Sequence, residues 1–117
     1  FKSVHYSATR NKYSIDDFIG EVQRDVQNKD YLAFGLNSQL LVNNILELFL
    51  TLNGEFLRQP NEMKKVVRKL DKKFSTSLEN FYKEGNTKKK AAVLESLVKY
   101  IYKKSGGPLP KKWVLKE

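Results

Sequence analysis

Residues 40–57, LLVNNILELFLTLNGEFL, decide how this chain folds. Leu40, Leu41, Ile45, Leu48, Phe49, Leu52 and Phe56 recur at helical spacing and cover one broad face. Val42, Leu46 and Leu50 carry that face most of the way round. A helix apolar on nearly every side needs neighbours on nearly every side, so this one is expected at the centre of the fold. Polar side chains interrupt it only at Asn43, Asn44, Glu47, Thr51 and Asn53. Gly54, a poor helix former, and Pro60, which disfavours helix in the residue before it, are expected to end it.

On the N-terminal side, Asp30 is placed to cap a helix that starts near Tyr31 and runs into this stretch, with Gly35 as a bend or close-contact point. Before it, residues 14–27 read as a second helix. Ser14 is the expected N-cap, Asp16 and Asp17 suit the dipole of the first turn, and Ile15, Phe18, Ile19, Val22 and Val26 form the buried stripe. Residues 1–13 read differently. Val4 and Tyr6 share one strand face and Phe1 and His5 the other, so these residues are expected to form a short strand or an extended arm. His5 has no companion nucleophile and reads as an arm residue.

On the C-terminal side, Asn61 is expected to cap a helix over residues 63–83. Met63, Val66, Val67, Leu70, Phe74, Leu78 and Phe81 pack inward along it. Lys64, Lys65, Arg68, Lys69, Lys72 and Lys73 would lie along it as one basic stripe. Ser75, Thr76 and Ser77 are the expected weak point. Gly85 and Asn86 mark a turn, and Thr87 is the expected cap of a last helix ending near Lys104. Lys88, Lys89 and Lys90 open that helix against its dipole, which local stability does not explain. Beyond Ser105, Gly106 and Gly107, the prolines at 108 and 110 force an extended tail, and Trp113, Val114 and Leu115 are expected to fold back as an apolar anchor. The reading is therefore all-α: an antiparallel bundle of four to five helices in one domain over residues 14–117, with a short extended N-terminal arm.

The chain has 117 residues, no cysteine and one histidine, which removes disulfides, thiol chemistry and His-rich metal sites. No apolar run reaches the roughly 18 residues of a membrane span and no signal-peptide pattern opens the chain, so a cytoplasmic protein without membrane contact is expected. The first residue is Phe1 rather than Met, which suggests a processed chain or one piece of a longer protein. Charge is unevenly placed. Residues 1–62 carry six Lys/Arg against eight Asp/Glu, and residues 63–117 carry sixteen against five, which together make the net +9. Such asymmetry points the second half toward something anionic: nucleic acid, nucleotide phosphates or an acidic protein surface. A lysine-rich solvated surface explains it equally well.

No GxxxxGKS/T or GxGxxG phosphate loop is present, and no Ser/His/Asp or metal pattern. A binding module is expected rather than an enzyme, with no cofactor. The expected ligand-contacting residues are Lys64, Lys65, Arg68, Lys69, Lys72, Lys73, Lys88, Lys89 and Lys90. The competing reading is a protein-interaction domain that docks an acidic partner.

The run LELFLTLNGEF, Leu46 through Phe56, followed by the lysine pair Lys64 and Lys65, resembles the end of a helix in the C-terminal helical domain of minimal nucleotidyltransferases, the kanamycin- and lincosamide-type enzymes. The resemblance covers about residues 30–73. Phe56 stands where the family often has tyrosine, and Lys64 falls later than the usual lysine. In that family an α/β domain with a GS motif and paired aspartates binds two magnesium ions, and a helical bundle completes the nucleotide and acceptor site. This chain has neither the GS motif nor DxD. The resemblance therefore implies the helical half without its catalytic half. It would make residues 1–7 the end of that half's last strand, and would set Asn53 and Lys64 or Lys65 near a nucleotide cleft. The alternative for Asn53 is a helix C-terminal residue beside Gly54.

Overall fold

The computed structural model describes residues 2–107, with side chains from Arg10 onward. The side chain of His5 and the expected anchor at Trp113, Val114 and Leu115 lie outside the described residues. Five helices follow one another: α1 Lys2–Asn28, α2 Tyr31–Leu52, α3 Pro60–Leu70, α4 Lys72–Lys83 and α5 Thr87–Lys104. No strand occurs among the described residues.

The first departure from expectation is α1. Residues 2–13 are helical, so there is neither an extended arm nor a strand, and Ser14 lies inside a helix instead of capping one. The stretch holds no glycine or proline to stop a helix. The last helix also holds its end in place. The Tyr102 hydroxyl reaches both the Lys12 carbonyl and the Asp16 carboxylate, two groups one helical turn apart. Burial first, and then the bond to Asp16, push the Tyr102 hydroxyl's pKa well above the ordinary tyrosine range, so it stays a donor. Lys12 is itself buried, and its ammonium donates to the Ser105 and Gly107 carbonyls just past α5. A cation at those unpaired carbonyls is what a helix C-terminus favours.

A tight turn joins α1 to α2. Asp30 N donates to Asp25 O at 3.0 Å and Lys29 N to Val26 O at 3.2 Å, with Lys29 in the left-handed region at φ 55°. This is a Schellman ending in which a lysine holds the position that glycine usually takes. The Asp30 carboxylate then caps α2 by accepting from Ala33 N. The two helices lie antiparallel along their length, and α5 packs across both. The apolarity of α2 is used in part as expected: Leu40 and Leu52, read as part of the buried face, are exposed. Leu41, Val42, Ile45, Leu48, Phe49 and Leu50 are all buried. Its Phe49 stacks on Phe74 of α4, with ring centroids 4.2 Å apart and planes 3° apart.

The ends of the elements differ from the sequence reading, each for a local reason. α2 stops at Leu52 because Gly54, at φ 68°, turns the chain so that Glu55 N reaches Leu50 O at 2.8 Å. Phe56 is consequently not part of the buried face; it is 76% exposed in the loop. Pro60 does not close α2 but opens α3 as its first residue after Gln59, the position where a missing N–H costs nothing, so Asn61 is not the cap. The helix expected over residues 63–83 is two helices. The break falls at Asp71, not at Ser75–Ser77, and the Asp71 carboxylate caps α4 by accepting from Phe74 N at 3.0 Å. Asn86 rather than Thr87 caps α5, through Lys89 N.

Candidate anion-binding site

The break at Asp71 divides the expected basic stripe. Lys64, Lys65, Arg68 and Lys69 belong to α3, whereas Lys72 and Lys73 occupy the first turn of α4. All six are exposed. A three-residue connection makes α4 and α5 antiparallel, so the start of α4 meets the end of α5. Lys88, Lys89 and Lys90 therefore lie at the opposite end from Lys73. They precede Tyr100, which Lys73 approaches, by ten to twelve residues, or about 15–18 Å of helix. Lys90 is turned onto the Phe81 ring, 4.5 Å from its centroid. The expected site residues are thus in three groups.

Lysines that the sequence reading assigned to helix termination, or passed over, join one of those groups. Lys73 and Ser77 on α4 face Ser96, Lys99, Tyr100 and Lys103 on α5 across an open cleft of about 360 Å³ floored by Phe74 and Leu97. The ammonium groups of Lys73 and Lys104 lie 5.7 and 5.4 Å from the centroid of the Tyr100 ring. The signal for Lys99 and Lys103 was their i, i+4 spacing, with Ser96 a turn earlier on the same face of α5.

The acidic Asp71 lies beside this cluster, and it is already engaged. One oxygen caps α4 and the other accepts from the Tyr100 hydroxyl at 2.6 Å. Burial alone would raise its pKa. The Tyr100 hydroxyl, the Phe74 and Lys73 backbone amides and the nearby Lys104 charge outweigh that and carry it below the ordinary carboxylate range. The same hydrogen bond, then burial, pushes the Tyr100 hydroxyl up. The ion pairs Arg24–Glu21 and Arg58–Glu55 lie elsewhere, and among the described residues Lys73, Lys99, Lys103 and Lys104 have no carboxylate within ion-pair distance.

A second, larger hollow of about 630 Å³ lies between α2, α3 and α4. Leu46, Leu57, Met63, Val67 and Leu78 make it largely apolar, and Lys64 on α3 and Lys83 on α4 stand at its rims. At one end the Tyr82 hydroxyl donates to Gln39 on α2 at 2.9 Å. Lys64 thus borders this groove and not the lysine cleft. Asn53 is in neither; its amide donates to Phe49 O at 2.8 Å and closes its own helix.

Among the described residues no group of three His, Asp or Glu could hold a metal ion. No helix among them is long and apolar enough to cross a membrane. Compared with known proteins, the chain matches no family model, no curated protein and no solved structure.

Proposed function

We propose that this chain is a non-catalytic binding domain that holds the phosphates of a nucleic acid on the face shared by α4 and the end of α5. The observation that carries this reading is the convergence of Lys73, Lys99, Lys103 and Lys104 around one open cleft, none of them within ion-pair distance of a carboxylate and with the nearby Asp71 already held by Phe74 N and the Tyr100 hydroxyl. Concentrated, unpaired lysines raise the local potential and exchange condensed counterions for direct phosphate contacts. Ser77 and Ser96 add hydroxyl donors between them. Lysine is a flexible point charge without the planar fork of arginine, so contact with the backbone in preference to the bases follows. Lys72 extends the face on α4. Lys65, Arg68 and Lys69 on α3, with Lys88 and Lys89, would contribute as outlying contacts.

The resemblance to nucleotidyltransferase helical domains supplies a narrower version in which the ligand is a single nucleotide. In that version the lysine cleft, rather than the position of Asn53, holds its phosphates, because the Asn53 amide is committed to its own helix end.

The test is a fluorescence-anisotropy titration with single-stranded RNA and duplex DNA over about 50–200 mM salt. Four phosphate contacts predict a log–log slope near −3 for the single strand. Neutralising Lys73, Lys99 and Lys103 to glutamine together should flatten that slope and weaken binding severalfold. Neutralising Lys88, Lys89 and Lys90 should do less. No binding of either polymer at the lowest salt would refute the polymer version, and competition by a nucleoside triphosphate would favour the narrower one.

A further inference from the structure

We infer that the groove between α2, α3 and α4 docks an amphipathic helix of a partner protein whose flanks are acidic. The groove has the makings of a helix-binding site: a floor of Leu46, Met63, Val67 and Leu78, open along its length. Leu57 lines it from the loop and is 63% exposed, a large apolar side chain that no described residue covers.

The apolar track does not stop at the groove. At 3.6 residues per turn, Leu32, Leu36, Gln39, Asn43 and Leu46 fall within a sector of about 80° on α2. Leu32 and Leu36 are 75% and 62% exposed, so the face that floors the groove continues beyond Tyr82 as bare leucine. Single exposed leucines need no explanation, but a leucine track that runs into an apolar groove is the pattern of a protein-docking surface. From Leu32 to Leu46 the track is about 21 Å long, the length of a four-turn helix.

Charge selects the occupant. Lys64 stands on the α3 rim and Lys83 on the α4 rim, neither paired with a carboxylate, so both flanks of an entering helix would meet a free ammonium. Glu79 is the carboxylate lining the groove, and Arg58 is tied to Glu55. Lys65, Arg68 and Lys69 beside the α3 rim, together with the chain's net +9, favour acidic flanks further and work against a second copy of the chain.

A library of helices about four turns long, with leucines fixed at i, i+4, i+7 and i+11 and the flanking positions randomised, would be displayed and selected on the full chain. Enrichment of Glu and Asp at the flanks is expected. The selected peptides should lose about tenfold or more in affinity on Leu57→Asp and on the double change Lys64→Glu, Lys83→Glu. Leu57 is exposed, so its substitution leaves the fold intact, and nucleic-acid binding at the lysine cleft should be unchanged by it. The inference is overturned by no enrichment, by neutral or basic flanks, or by peptides indifferent to Leu57→Asp. It is equally overturned by a dimer in sedimentation equilibrium that Leu57→Asp dissolves, which would assign the groove to a second copy. Peptide binding that appears only after deletion of residues 108–117 would assign it to the chain's own end.

Discussion

Asp71 ends one helix, starts the next and holds the hydroxyl of a third helix's tyrosine, all with one short side chain. Removing it should cost about 1–2 kcal/mol for the cap alone. Because its folded pKa lies below the unfolded one, its carboxylate contributes stability that is present above the unfolded value and is lost as pH falls through the folded value. The stability gap between wild type and Asp71→Asn in urea titrations should therefore be widest near neutral pH and shrink in acid. Lys29 runs the other way. A non-glycine residue at φ 55° is held against about 1 kcal/mol of strain, so Lys29→Gly should raise stability by up to that amount in the same titration. Asp30 was legible as a cap because it follows a break in the apolar pattern. Asp71 was not, because Met63 through Phe81 keep one helical period straight across it. The second partner that holds the break, Tyr100, is 29 residues away. No local pattern could supply it.

At the scale of elements, the central helix was readable because its apolar residues exceed one face, and the structure places it between α1 and α5 with α4 against Phe49, while Leu32, Leu36 and Leu40 stay exposed. The ring stack of Phe49 and Phe74 joins α2 to α4 at the break between α3 and α4. Phe74 is fully buried there, so Phe74→Ala should cost about 3–5 kcal/mol, measured by chemical denaturation, and Phe74→Leu distinctly less. The start of α1 was misread because Val4 and Tyr6 alternate, and alternation over so few residues costs nothing to violate once the following turns are helical. The lysine cleft was half legible. Lys72 and Lys73 stood out in a run, whereas Lys99, Lys103 and Lys104 join them only because α4 and α5 are antiparallel, which a linear pattern does not show.

For the whole molecule, the charge asymmetry of the sequence becomes a division of surface: the basic helices α3 to α5 carry both the lysine cleft and the rims of the apolar groove. The α1–α2 hairpin supplies the other wall of the groove. What ties the two halves at the far side is Tyr102, whose hydroxyl meets α1. Tyr102→Phe should cost about 1 kcal/mol or somewhat more, since it strips a buried donor from the Lys12 carbonyl and the Asp16 carboxylate. The hydrogen bonds of Lys12 to the carbonyls at the end of α5 join residues 93 and 95 positions apart in the chain. That separation predicts an order of events during synthesis. A ribosome releases the α1–α2 hairpin, whose contacts are local and fast, long before Ser105 exists to receive the Lys12 ammonium. Until then the Lys12 ammonium stands in water, and the face of α2 that α5 covers is exposed. Closure of α5 on α1 is therefore expected late in folding and early in unfolding. Lys12→Met should thus speed unfolding in stopped-flow measurements while leaving the folding rate nearly unchanged.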